Sequence, residues 1–201
     1  MTRWQSVFYF NSPFFKPWQI ITYMFMHANV AHILFNMLGL FMIGPILEYS
    51  LGSKKFFNFY FICGIGAIVL QWIVQAVQVY HLTGGITIPD PQLQQSYDIF
   101  GANAQKLMEI YSSTTLGASG AVFGVMVGFA TIYPNMELAL LFLPIPIKAK
   151  YFVSIYIAGE LYMSVFQVPG DHVAHMAHIG GALFGFLLIK IWGIKGSNNF
   201  L

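Results

Sequence analysis

The sequence predicts an all-α protein, a polytopic bundle of membrane helices, and three observations lead to this fold class. Of the 201 residues, 57% are apolar and only 8% are charged, whereas a soluble domain carries about 25% charged residues. The apolar residues form five segments, each near the roughly 20 residues that a spanning helix needs. Lysines cluster in alternate connections between these segments. We therefore expect a single membrane domain, residues 1–201, in contact with the lipid bilayer.

The five apolar segments are taken as spans in chain order. They lie near 28–47, 56–79, 117–133, 150–167 and 173–193. Segment 138–147 is also apolar, but it contains Pro144 and Pro146. Because proline removes helical hydrogen bonds, we expect this segment to lie at the membrane interface.

The basic residues predict how the bundle is oriented. With alternating spans, six lysines lie on one side and only Arg3, Lys16 and Lys106 on the other. The six are Lys54, Lys55, Lys148, Lys150, Lys190 and Lys195. By the positive-inside rule the six mark the cytoplasmic side. This predicts a multi-pass protein of the inner (cytoplasmic) membrane whose other face opens to the periplasm or the exterior.

Charge and cysteine content exclude several function classes. A net charge of +2 without a basic aromatic patch gives no reason to expect a nucleic-acid partner. The single cysteine, Cys63, lies in an apolar run, so neither a disulfide framework nor a cysteine metal site is expected. We expect no cofactor.

The third span begins with a serine among small residues, LGASGAVFG at 116–124. Gly117 and Gly120 flank Ser119, and Gly120, Gly124 and Gly128 recur every four residues. Such spacing forms a smooth ridge that allows another helix to approach closely. The motif alone is also compatible with helix packing and a serine bonded to its own backbone.

The last span carries a second glycine ridge on the face of a histidine. His178, Gly181 and Gly185 fall at i, i+3 and i+7, which places them on one helix face. If the two ridges pack together, Ser119 and His178 come within hydrogen-bond reach, and such a pair is the minimum for an activated nucleophile. Phe123 lies one turn after Ser119, where its ring can stack on the imidazole.

Two further polar residues share a face of the first span, His32 and Asn36, at i and i+4. Strongly polar groups inside membrane spans are costly and point to function. If the two side chains point at the serine, they and the Ser119 N–H would donate hydrogen bonds to an oxyanion. The alternative is that His32 and Asn36 form polar contacts between helices. All three sets lie toward the outer ends of their spans, which favours one shared site.

These motifs resemble the rhomboid family of intramembrane serine proteases. The resemblance rests on four stretches: HANVAHILFNMLGLF (27–41), EYSLGSKKF (48–56), GASGAVFG (117–124) and AHIGGALFG (177–185). It implies that Ser119 is the nucleophile, that His178 is the general base, and that His32 and Asn36 stabilise the oxyanion. It also implies that His27 lies near a water-filled cavity, where it organises water.

The resemblance implies an intramembrane serine endopeptidase. It would cleave transmembrane helices of membrane proteins near the outer face of the bilayer, through an acyl-enzyme. We expect a Ser–His dyad, because we expect no carboxylate at the position of a third triad member. The alternative is that Asp171 or Glu160 orients the imidazole. His175, one turn before His178, is expected to be a hydrogen-bonding residue facing the cavity.

The chain departs from the family pattern at its start. The family core has six helices, and residues 1–27 resemble the end of the loop that follows the first one. We therefore expect a bundle of five spans that lacks the family's first helix. In addition, Phe123 replaces a tyrosine that some members have, which keeps the stacking and removes a phenol hydrogen bond.

Two alternatives remain open from the sequence. One is a catalytically silent rhomboid-like protein that binds transmembrane helices. The other is a metal site or transporter built from His172, His175 and His178, whose spacing of three suits metal ligation, with His27 and His32 joining them. Since no inward-facing carboxylate is expected beside these histidines, we expect no metal.

Overall fold

The computed structural model describes residues 2–88, 100–140, 143–166, 171 and 173–196. Its α-helices are α1 (Thr2–Gln5), α2 (Gln19–Thr22), α3 (Val30–Leu51), α4 (Ser53–Thr83), α5 (Ala104–Ser112), α6 (Ser119–Ile132), α7 (Ala149–Phe166) and α8 (His175–Ile191). Short 3-10 helices cover Tyr23–Phe25 and Gly101–Asn103, and two strands, β1 (Glu137–Leu140) and β2 (Leu143–Lys148), separate α6 from α7. The protein is thus predominantly helical, in agreement with the predicted class.

A helix occupies each of the five predicted spans, namely α3, α4, α6, α7 and α8. Within the described residues, α3 with 22 residues and α4 with 31 are long and apolar enough to cross a membrane by length and composition. Helices α6 and α8 are apolar but shorter, with 14 and 17 residues. The helix positions follow the sequence prediction, and the count of five spans stays a prediction.

Helix α6 is the centre of the bundle. Nearly every residue from Gly120 to Ile132 is buried, as expected of a helix that is apolar on all sides. It lies against α3, where Val122 approaches Gly39, and against α4, where Gly128 faces Phe59. Ser119, the first residue of this helix, therefore belongs to an element that is held by packing on several sides.

The two glycine ridges pack against each other, as the spacing predicted. A Cβ built on Gly181 would collide with the carbonyl oxygen of Gly120, and one on Gly185 would lie 2.5 Å from the carbonyl oxygen of Gly124. Helices α6 and α8 are thus in direct backbone contact, which only glycine permits. On its other side, Gly124 faces Cys63 of α4, whose side chain is buried.

The N-terminal segment packs on the connection between α4 and α6. Val7 and Thr115 exchange two backbone hydrogen bonds of 2.9 and 2.8 Å. The Ser12 hydroxyl donates to the Tyr111 carbonyl at 2.6 Å, and the Tyr9 hydroxyl donates to the carbonyl of Ile86. The burial of Tyr9 and the neighbouring Tyr111 raises the pKa of the Tyr9 phenol, so this hydroxyl stays protonated and keeps donating.

The described residues of the apolar segment 138–147 belong to two paired strands. The strands β1 and β2 pair antiparallel, with Glu137 opposite Lys148 and Leu138 opposite Ile147. The prolines exclude a helix here, as expected, whereas the strand pairing was not predicted; the location at the membrane interface stays a prediction. A two-stranded ribbon accepts proline because both strands are edges.

We expect Gly181→Ala to destabilise the protein by about 3 kcal/mol or more, because the added methyl group meets backbone that cannot rotate away. Gly159→Ala is the matched control, since Gly159 lies in α7 with nothing within 4 Å of its Cβ position. That change should be neutral or stabilise by up to about 1 kcal/mol. Thermal unfolding of the detergent-solubilised variants measures both; equal midpoints would contradict the close backbone contact.

Candidate active site

Three helices begin at the same end of the bundle, and each contributes a polar side chain there. Ser119 is the first residue of α6, His178 lies in the first turn of α8, and His32 lies in the first turn of α3. The Oγ atom of Ser119 is 2.7 Å from Nε2 of His178. The structure therefore brings together the serine and the histidine that the two glycine ridges predicted.

The imidazole of His178 is held by an aromatic ring. Phe123 stacks on it with ring centroids 4.4 Å apart and an interplanar angle of 7°. Phe123 is itself buried and packs against Tyr156 of α7 at 4.8 Å. The stacking expected from the sequence is present, and it restrains the plane of the ring.

A carboxylate does contact the histidine, and the expectation of a dyad without an acidic partner is wrong on this point. Oε2 of Glu160 is 2.9 Å from Nδ1 of His178. Glu160 belongs to α7 and is only 7% exposed. It is the one acidic residue within the five predicted spans, and a buried ionisable group in a span is by itself a signal of function.

The contacts of His178 fix which nitrogen carries its hydrogen. A carboxylate accepts hydrogen bonds and does not donate them, so Nδ1 is the N–H that donates to Glu160. Nε2 is then the lone-pair nitrogen, and it accepts the hydroxyl hydrogen of Ser119. This arrangement has the order of contacts found in a Ser–His–acid triad.

His175 lies between two carboxylates. Its Nδ1 is 2.6 Å from the same Oε2 of Glu160, and its Nε2 is 3.0 Å from Oδ2 of Asp171. Because both carboxylates accept, both ring nitrogens carry hydrogen and the ring is an imidazolium. His175 is thus the hydrogen-bonding residue that the sequence predicted, and its charge stabilises Glu160 as an anion in a poorly solvated place.

His32 faces the serine across a glycine. A Cβ on Gly117 would lie 2.7 Å from Nε2 of His32 and 3.5 Å from Oγ of Ser119. The two distances place those atoms within about 6 Å of each other, so that one reacting group can contact both. The Ala28 N–H donates to Nδ1 of His32 at 3.3 Å, so Nε2 is the N–H and points a donor toward this space.

The other two predicted polar residues lie beside His32. Asn36 is buried, and its Nδ2 donates to the His32 carbonyl at 3.0 Å. The His27 ring lies edge-on to the His32 ring at 5.1 Å, and its Nε2 is buried without a partner among the described residues. Burial lowers the pKa of His27, so this imidazole is neutral.

The approach to Ser119 is positioned by residues that sequence reasoning missed. The Gly117 N–H donates to the Tyr23 carbonyl at 2.9 Å, and the Tyr23 hydroxyl donates to the Gly64 carbonyl of α4 at 2.6 Å. Gly117 has φ +122°, which favours glycine. Tyr23 has no sequence signal beyond being a tyrosine in an apolar stretch, because its role depends on a contact 94 positions along the chain.

One of the histidines considered for a metal site, His172, lies outside the described residues. His175 and His178 do approach a common carboxylate, so the expectation that no inward carboxylate accompanies them is also wrong. Within the described part of the chain, Glu160, His175 and His178 form a group whose ligand atoms all lie within 4.8 Å of one another.

Comparison with known proteins agrees with the motifs. The rhomboid domain model matches residues 15–194, which is most of the chain. The chain belongs to the rhomboid family. As a rhomboid protein of predominantly helical structure, it is a membrane protein.

Several curated rhomboid proteins are similar to it. A mitochondrial rhomboid protein of Schizosaccharomyces pombe is 27% identical over 87% of this chain and 51% of its own length. Rhomboid protease AarA of Providencia stuartii is 28% identical over 85% of this chain and 54% of its own. RHOMBOID-like protein 1 of Arabidopsis thaliana is 29% identical over 89% and 35% respectively. The chain thus spans about half, or less, of the length of these rhomboid relatives.

Proposed function

We propose that this rhomboid protein is an intramembrane serine endopeptidase that cleaves transmembrane helices of membrane proteins. The observation that carries the proposal is the 2.7 Å contact between Oγ of Ser119 and Nε2 of His178, between a hydroxyl and a base of the correct tautomer. The name of AarA, a rhomboid protease, supports the same activity.

The chemistry begins when Ser119 attacks a peptide carbonyl while Nε2 of His178 takes the hydroxyl proton. The Ser119 oxygen forms a bond to the carbonyl carbon, and the resulting imidazolium is stabilised by Glu160 on Nδ1. His178 then protonates the leaving amine, and an acyl-enzyme remains. Water, deprotonated by His178, attacks the ester and releases the second product with Ser119 restored.

The oxyanion that forms in each step needs donors. His32 offers Nε2–H, and Asn36 offers the amide hydrogen that is not donated to the His32 carbonyl. Ser119 is the first residue of α6, so its backbone N–H is one of the groups without an intrahelical acceptor. The positive end of the α6 dipole acts in the same direction.

We further propose that the site opens to the outer face of a cytoplasmic membrane. Ser119, His178 and His32 lie at one end of the helices, and the lysine-rich connections lie at the other. By the positive-inside rule the lysine-rich end is cytoplasmic. Water then reaches the acyl-enzyme from the outer side. Two relatives, from Schizosaccharomyces pombe and Saccharomyces cerevisiae, are named as mitochondrial. The proposal of a cytoplasmic membrane therefore rests on the distribution of lysines alone.

The alternative of a silent protein that only binds transmembrane helices predicts no reactive serine. We expect wild type, in detergent, to react covalently with a fluorophosphonate probe, and Ser119→Ala and His178→Ala to lose about all of this labelling, because the first removes the nucleophile and the second its base. Ser113→Ala, which removes an exposed serine of the same outer region, is the control and should label normally. Absence of labelling in folded wild type would refute the protease proposal.

Glu160 is proposed as a positioning residue for His178. We expect Glu160→Gln to lower kcat for a transmembrane substrate by about 10²–10⁴, since an amide no longer fixes the tautomer with Nε2 as acceptor. KM should change little, and Glu160→Asp should restore part of the rate. A loss of thermal stability in proportion to the loss of rate, without rescue by aspartate, would show a purely structural role.

Gly117 is proposed to keep the space between His32 and Ser119 open. We expect Gly117→Ala to lower the rate of fluorophosphonate labelling by about 10² or more, because its Cβ would occupy the place of an oxyanion donor contact. Gly84→Ala is the matched control: Gly84 also has positive φ, at 80°, with nothing within 4 Å of its Cβ position. Both changes strain the backbone, so equal labelling rates per folded molecule would contradict this role.

A further inference from the structure

We propose that Glu160, His175 and His178 form a binding site for Zn²⁺, and that zinc bound there stops His178 from acting as a base. Zinc binding itself depends only on the three side chains. Its inhibitory consequence rests on the proposed protease function.

The three side chains already direct one ligand atom each toward a common point. Oε2 of Glu160 lies 2.6 Å from Nδ1 of His175 and 2.9 Å from Nδ1 of His178, and all three atoms lie within 4.8 Å of one another. Tetrahedral zinc with bonds of 2.0–2.1 Å spaces its ligands about 3.3 Å apart. To admit the ion, the carboxylate oxygen therefore has to retreat by about 0.7 Å from Nδ1 of His175 and by about 0.4 Å from Nδ1 of His178. The two ring nitrogens, which lie within 4.8 Å of each other, have to reach the same spacing.

The second ring nitrogen of each histidine is already supported as in a metal site. Nε2 of His175 is 3.0 Å from Oδ2 of Asp171, and Nε2 of His178 is 2.7 Å from Oγ of Ser119. Metal-binding histidines almost always donate their other N–H to a carboxylate or another acceptor, which fixes the ring. This observation is independent of the spacing of the ligand atoms.

The ligand set suits zinc and leaves one position open. Two imidazoles and one carboxylate with a water in the fourth position are a common zinc environment. The side chains of His175, His178 and Glu160 are 13%, 12% and 8% exposed, so they are partly reachable from outside. They lie near the N-terminal end of α8, at the end of the bundle where we place the entry of water.

Zinc binding moves hydrogens in a defined way. Before binding, Nδ1 of both histidines carries hydrogen, as the contacts with Glu160 require. When zinc occupies both Nδ1 atoms, His175 releases one proton to solvent and keeps Nε2–H on Asp171. His178 keeps its single hydrogen but now on Nε2, from which it donates to Ser119. A nitrogen that already carries hydrogen cannot take the serine proton, so the nucleophile stays inactive.

Direct metal binding tests the site without reference to activity. After removal of metals with a chelator, the full chain in detergent is titrated with Co²⁺, whose visible absorption reports tetrahedral nitrogen and oxygen ligands, and the Co²⁺ is then displaced with Zn²⁺. We expect one ion per chain. His175→Ala should abolish the absorption band, and Asp171→Asn should weaken binding by about tenfold, as loss of a supporting partner does. His81→Ala, which removes an exposed histidine at the far end of α4, is the control and should bind as wild type does.

Fluorophosphonate labelling then tests the consequence, with each variant compared with itself in the absence of zinc. At a zinc concentration about ten times the dissociation constant, mass action predicts about tenfold slower labelling of wild type and of His81→Ala. Labelling of His175→Ala should not respond.

The outcomes separate the two proposals. Wild type that fails to bind Co²⁺, or that binds it equally well as His175→Ala, overturns the zinc site whatever the activity. Zinc that slows wild type and His175→Ala equally acts elsewhere and also overturns it. Absence of labelling without zinc overturns the protease function alone, and the Co²⁺ titration still decides the site.

Discussion

The direct backbone contact between α6 and α8 is the constraint on which the rest of the structure depends. Where Gly181 meets the Gly120 carbonyl, the two helix axes are closer than any side chain would allow. Ser119 and His178 lie one residue and one turn from this contact, so their separation is set by backbone and not by flexible side chains. A site built on rigid elements keeps its geometry more precisely than one built on loops.

The N-terminal segment adds the second constraint, because it positions the residues that precede α6. Helix α6 begins only at Ser119, and the residues before it are fixed by hydrogen bonds from outside the bundle: Thr115 to Val7, and Gly117 to Tyr23. Tyr23 in turn is tied to α4 through Gly64. The space between His32 and Ser119 therefore depends on three separate parts of the chain. The N-terminal segment has few sequence features of its own, yet its contacts help to define this space.

The sequence predicted those parts of the site that follow from periodicity within one helix. Glycines at intervals of four and a histidine on the same face can be read from the residues alone, and from them the contact of Ser119 with His178. Glu160 could not be assigned in this way, since its partner His178 is 18 positions away on another helix. The contact between the two side chains depends on how α7 packs against α8. The pairing of β1 with β2 was missed for the related reason that two prolines argue against a helix but do not specify a partner strand.

The polar cluster at the end of α7 and α8 illustrates how a membrane protein keeps charge in a poorly solvated place. One carboxylate oxygen of Glu160 accepts from two imidazoles, and the charge of His175 is shared with Asp171. Such a network is stable only when each member is satisfied, and removal of any one leaves a buried charge without its partner. A carboxylate and two ring nitrogens close together are also the ligands that a cation such as Zn²⁺ prefers. In the two proposals, activation of the serine and capture of zinc compete for a single atom, Nδ1 of His178. Hydrogen on that nitrogen directs the ring's lone pair to Ser119, whereas metal on it directs the hydrogen there instead.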